Sequence, residues 1–252
     1  MNLLCAQGLS GCEQVNVSNS LAVLDQWVVR VKSETERHNY RFERNPAEFE
    51  HSRGFYKLLM LAVVLAEDYQ IHYRTDRQVG PDSAAMNDGF FANAQDVFLP
   101  GLLGEQRAGT CSSMPALYVA IGRRLGYPMK LVTTKGHLFV RWEGEGERLN
   151  LEVTGNGLNR FPDDYYRHWP FEVTEAEVAA EGYLKSLSPA EELAVFLSIR
   201  AMCLREAGKL GEAAEAFEAA AKLAPQVQSY RAMAERFRGT GALVYQTEGG
   251  KR

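Results

Sequence analysis

The sequence predicts an α+β fold, on three observations. Residues 111–125 carry apolar side chains at helical spacing. Three short strand-like runs follow with no helix between them. Helical segments stand before and after this unit. A helix followed by a consecutive antiparallel meander is the pattern of a sheet packed on that helix.

Each element has its local reason. Near the N-terminus, Leu21, Leu24, Val28 and Val31 recur on one face, so Ser18 or Ser20 is expected to cap a helix running to about His38. A second helix is expected from Asn45, as cap, and Pro46, in the first turn. It carries Phe49 and runs to Tyr69 with a break near Gly54. Residues 74–109 are rich in Asp, Asn, Gly and Gln and read as irregular, with one short helix around 92–99. Pro115 is tolerated only in a first turn, so the next helix begins at or just after Cys111. Ala116, Leu117, Ala120, Ile121 and Leu125 form its stripe, and Gly126 stops it. The strands are residues 129–133, 137–142 and 148–154. Gly144-Glu145-Gly146 supplies the turn between the last two. From Pro189 the chain is helical again, with Gly208 as a stop, a second helix over 211–223 and Pro225 as its end.

Composition narrows the function. Of 252 residues, 46% are hydrophobic and 24% charged, an ordinary globular balance that excludes disordered and collagen-like classes. The net charge of −4, from 28 basic and 32 acidic residues, gives no basic footprint for a phosphate backbone, so no nucleic-acid partner is expected. The longest apolar run, residues 58–66, is far short of the roughly 20 residues that span a bilayer, so no membrane association is expected. The start of the chain lacks the basic flank of a secretion signal. Cys5, Cys12, Cys111 and Cys203 are scattered, which suits reduced thiols in a cytoplasmic protein. With no Cys-x-x-Cys pair and no helical His pair, neither a metal site nor a cofactor is expected.

Three residues carry candidate chemistry. Cys111 stands at a helix N-terminus, where free N–H groups and the helix dipole favour a thiolate; the alternative is a small buried core residue. His137 opens the second strand and can serve as base toward a nearby thiol, or as a strand-edge histidine. Glu152 lies across the hairpin from His137. Strand alternation puts Asn150 on the same face, so either residue can orient the imidazole. Asn93, Gln95 and Gln106 are candidates to assist the Cys111 N–H as oxyanion donors. The aromatic run 163–170 either lines a cleft or pins a loop to the core, and Phe90-Phe91 poses the same choice.

Three motifs in this order are similar to the core of the transglutaminase-like superfamily: Gly109-Thr110-Cys111 with the Arg-Arg-Leu-Gly-Tyr-Pro helix end at 123–128, Gly136-His137, and Asn150-Leu151-Glu152-Val153-Thr154. They cover about a fifth of the chain. The resemblance is strongest to bacterial members that join this core to tetratricopeptide-type helices. The tail hairpin itself resembles about one tetratricopeptide repeat, through Ala201, Gly208, Ala213, Phe217, Ala220 and Pro225. The resemblance implies a papain-like core with Cys111 as nucleophile, His137 as general base then acid, and Glu152 as orienting group. Many members have Asp where this chain has Glu152, which keeps Asn150 open as the third member.

The expected organisation is a transglutaminase-like domain with N-terminal helices over residues 1–188 and a helical tail over 189–252 packed on it. A lone repeat cannot bury its own face, so the tail needs the domain or a partner as cover. Two functions follow. One is a cysteine-dependent acyl-transfer enzyme acting on an amide or peptide bond of a protein or peptide substrate. The other is an inactive transglutaminase-like module whose C-terminal helices bind a protein partner.

Overall fold

The computed structural model describes residues 1–77, 89–154 and 159–248, so residues 78–88 of the segment expected as irregular, and 249–252 of the tail, lie outside the described residues. Among the described residues, helices surround two small sheets, an α+β arrangement.

The N-terminal helices are α1 (Asn2–Ala6), α2 (Val17–Arg44) and α3 (Arg53–Val63). Asn16, rather than Ser18 or Ser20, caps α2, accepting a hydrogen bond from the Asn19 N–H at 3.0 Å. The helix runs past His38, and Phe42 beyond it packs with Phe49 and Tyr56. Pro46–Phe49 forms only a 3₁₀ turn. Glu50 and His51 are left-handed and break the chain there, before Gly54. Ser52 then caps α3. Gly54 lies inside α3, where a Cβ would stand 2.2 Å from the Glu147 carboxylate and 2.9 Å from the Trp142 ring, so glycine is what lets α3 press against the sheet.

The short strand β1 (His72–Tyr73) pairs in parallel with β2 (Ala108–Gly109). Two short helices, α4 (Ala94–Val97) and α5 (Leu99–Leu103), stand between them where one was expected. The turn after β2 opens α6 (Met114–Arg124). An antiparallel meander follows: β3 (Met129–Thr134), β4 (His137–Gly144) and β5 (Glu147–Leu151). Glu145 and Gly146 both have positive φ, 57° and 78°, as the tight hairpin between β4 and β5 requires.

The sheet is covered on both faces. Leu138, Val140, Trp142 and Leu151 belong to the main core together with Leu117 and Ile121 of α6. On the opposite face Phe139 meets α7 (Asp163–His168), whose Tyr166 ring stacks on it at 3.7 Å and 4°. The aromatic run 163–170 therefore builds a second small core with Val132 and Leu184. Helix α8 (Glu175–Glu181) follows.

The tail comprises α9 (Pro189–Glu206), α10 (Leu210–Leu223) and α11 (Gln228–Glu248). The third helix is a correction to the two-helix tail read from sequence. Phe237 and Tyr230 of α11 lie against Phe217 and cover the apolar face of α10. The tail is anchored to the rest. Arg123 of α6 grips the buried Glu192 of α9, with Nη1 2.7 Å from Oε2. Arg200 donates to the carbonyls of Cys5 and Gln7, each at 2.8 Å. Among the described residues, no helix is long and apolar enough to cross a membrane.

Candidate functional site

Cys111 sits in the turn that leads into α6, three residues before the first helical residue. The N–H groups of Ser113 and Met114 both donate to the Thr110 carbonyl, at 3.1 and 3.0 Å. The Asp96 carbonyl accepts from the hydroxyls of Thr110 and Ser113, each at 3.0 Å, and the Asp96 carboxylate is held by Arg74 at 2.7 Å. A Cβ at Gly109 would stand 2.7 Å from both Leu102 and the Ser113 hydroxyl, so the residue two before the cysteine must be small. His137 enters β4 directly after Gly136, whose φ of 71° closes the β3–β4 turn.

The structure brings His137 and Glu152 together. Nε2 of His137 lies 2.8 Å from Oε2 of Glu152, and both residues are buried. The second carboxylate oxygen accepts from the Thr154 N–H at 2.9 Å and its hydroxyl at 2.5 Å. Strand register explains the pairing. Arg141 faces Asn150 and Val140 faces Leu151, so the continued ladder puts Glu152 opposite Phe139, one diagonal step from His137.

Asn150 is not brought to His137. It lies opposite the buried Arg141, whose Nε donates to its Oδ1 at 2.8 Å. Its amide donates to the Phe161 carbonyl at 3.0 Å and to Asp163 at 2.7 Å. Both ends of the carboxamide are committed to a structural network.

Cys111 completes the cluster. Its sulfur lies 4.0 Å from the Gly136 carbonyl. Nδ1 of His137 is buried and has no hydrogen-bond partner, and Cys111 favours the protonated form of the ring. The Trp169 ring stands edge-on to the imidazole at 4.6 Å. Tyr73 is a further neighbour that the sequence did not suggest. Its hydroxyl donates to the Arg77 carbonyl at 3.0 Å, and burial raises its pKa while the Cys111 backbone opposes that rise. The only signal for it is the register Tyr73 opposite Gly109, on a two-residue strand too short to read from pattern.

The electrostatics are those of an ion pair. Burial works against the His137 imidazolium, but Cys111 and Glu152 outweigh it and raise its pKa to about 9. Burial likewise works against the Glu152 carboxylate, yet His137 and Thr154 hold it below the usual carboxylate range. The other thiols lack such partners. Burial raises the pKa of Cys5, and pushes Cys12 and Cys203 up to about 12.

Cys111 and His137 open onto a cleft of about 310 Å³. Phe90 and Phe91 line it, and so do Ile199 and Met202 of α9 and Tyr230 of α11. The expected oxyanion residues are elsewhere. Asn93 caps α4 and Gln95 donates to the Gly11 carbonyl at 2.7 Å, while Gln106 is exposed. Among the described residues, no group of three or more His, Cys, Asp or Glu could hold a metal ion. Comparisons with protein-family models, curated proteins and solved structures find no significant match.

Proposed function

We propose that this chain is a cysteine-dependent acyl-transfer enzyme with a papain-like, transglutaminase-like core, acting on amide or peptide bonds. The observation that carries the reading is a buried imidazole with one nitrogen paired and the other unpaired, in the cleft that a thiol also lines. Nε2 is fixed by Glu152, Nδ1 is buried without a hydrogen-bond partner, and the ring lines the same cleft as the Cys111 thiol. A buried histidine serving only the core would have no reason to pair a carboxylate on one side and leave its other nitrogen unpaired in a cleft that a thiol shares.

The chemistry follows from that arrangement. The thiol proton passes to His137, giving a thiolate beside an imidazolium that burial alone would not sustain. The thiolate attacks the substrate carbonyl carbon and a C–S bond forms. The imidazolium then gives its proton to the departing amine as the C–N bond breaks, leaving a thioester on Cys111. Water or a second amine attacks the thioester, with His137 taking its proton, and the thiol is restored. Glu152 keeps the ring in the required tautomer throughout and balances its charge.

The test is intact-protein mass spectrometry after exposure to p-nitrophenyl acetate. An acetyl adduct that forms fast on Cys111, turns over, and is absent in Cys111→Ala supports the enzyme. Acetylation of Cys111 no faster than of Cys5, Cys12 or Cys203 would overturn it and leave the interaction module. His137→Ala, which keeps the thiol, should accumulate adduct slowly.

A further inference from the structure

The cleft is built from two parts of the chain. Cys111, Ser112 and His137 line it from the central unit, and the tail helices line it through Val195, Ile199 and Met202 of α9 and Tyr230 of α11. Phe90, Phe91, Leu138 and Leu187 fill in the apolar surface between them.

Charge near the cleft is already spoken for. Apart from His137, the charged residues among its described lining are Glu181, Lys185 and Glu191. Lys185 pairs with Glu191 at 2.5 Å. Glu191 also caps the start of α9 through the Ser188 N–H and receives the Gln226 amide. Glu181 accepts from the Ser229 hydroxyl at 2.5 Å and its N–H at 3.2 Å. A carboxylate or phosphate entering this space would find Lys185 paired with Glu191, His137 paired with Glu152, and two carboxylates in the lining. Desolvating such an anion there has no compensation. The volume of about 310 Å³ is at the small end of ligand sites, matched to one large side chain rather than to a folded surface.

Resting on the acyl-transfer reading, we infer that the substrate presents one large, uncharged apolar group, aromatic or aliphatic, beside its scissile amide, and that the tail helices select it. The tail is then part of the site. Met202 is a specificity residue: it is half-buried and lines the cleft that the thiol lines.

The experiment uses the full chain and three thiol alkylators that share one reaction, displacement of iodide by the Cys111 sulfur. They are iodoacetamide, its N-benzyl form and its N-carboxymethyl form. Rates at Cys111 are read by mass spectrometry and divided by the rate of each reagent with free glutathione. The N-benzyl reagent should gain about 10- to 100-fold over iodoacetamide, the range expected for burying one ring, and the N-carboxymethyl reagent should lose. Met202→Glu should abolish the N-benzyl advantage, read as the ratio of the N-benzyl to the iodoacetamide rate within the same variant, and Met202→Leu should retain it. Equal normalised rates for all three reagents in the native protein would overturn the inference, as would a preference for the anionic reagent. These outcomes leave the acyl-transfer reading standing, because the iodoacetamide rate still reports an activated thiol. An iodoacetamide rate at Cys111 no higher than at Cys5, Cys12 or Cys203 ends that reading, and this inference with it.

Discussion

The imidazole of His137 meets the carboxylate of Glu152 at 2.8 Å along a diagonal of the β4–β5 ladder, while Asn150, two residues back on the same face, is held by Arg141. Glu152→Gln keeps the shape and removes the charge. Esterase activity should fall by about 10²- to 10⁴-fold, the range for losing an oriented acid–base group. Asn150→Ala should leave the pH profile of activity where it is. The reverse pattern in p-nitrophenyl acetate turnover would move the orienting role to Asn150.

The raised pKa of His137 has a consequence for stability. Its shift from 6.5 to about 9 means that the folded state holds a proton which the unfolded chain releases earlier. The contribution is therefore complete below pH 6.5 and is lost as pH climbs through about 9. Two and a half units correspond to a loss on the order of 3 kcal/mol. Urea titrations from pH 6 to 9.5 should show this decline, and His137→Gln should flatten it. An unchanged slope in that variant would assign the decline to other groups.

Thiol reactivity should separate the four cysteines. Cys12 and Cys203, with pKa values pushed up to about 12 by burial, should be inert to iodoacetamide at pH 7.5, and Cys5 slow. Cys111 should react first, because an imidazolium stands beside its sulfur, and His137→Ala should slow it. Peptide mapping after timed quenching reads all four sites in one sample.

The Arg123–Glu192 pair should matter to docking of the tail. Glu192 is only 2% exposed, so removing its cation leaves a buried carboxylate. Arg123→Met should cost about 3 kcal/mol, at the low end for a broken buried pair because Arg123 itself is partly exposed. The double variant Arg123→Met, Glu192→Leu should recover most of it. Denaturant midpoints at fixed m-value measure both.

Much of the central unit was legible because its signals are local. The three strands, the Glu145-Gly146 turn and the helix stripe ending at Gly126 all come from alternation, period and turn chemistry within a few residues. The arrangement of His137 with Glu152 was legible because a hairpin fixes register. What escaped depends on contacts distant in sequence. Tyr73 reaches the Cys111 backbone only through a two-residue parallel pair, and α11 was hidden behind Pro225 in a polar stretch that becomes helical against Phe217. Asn93 and Gln95 looked available because nothing in the sequence says that Asn93 caps α4 or that the Gly11 carbonyl, more than 80 residues away, takes the Gln95 amide.

Because part of the cleft lining comes from α9 and α11, the order of synthesis bears on the site. Cys111, His137 and Glu152 emerge from the ribosome well before Tyr230, which follows Glu152 by several seconds at about 5–20 residues per second. During that interval the nascent chain holds its thiol and imidazole with no surface to choose what approaches them. On the acyl-transfer reading, completion of the last helices turns an unselective pair into a discriminating one.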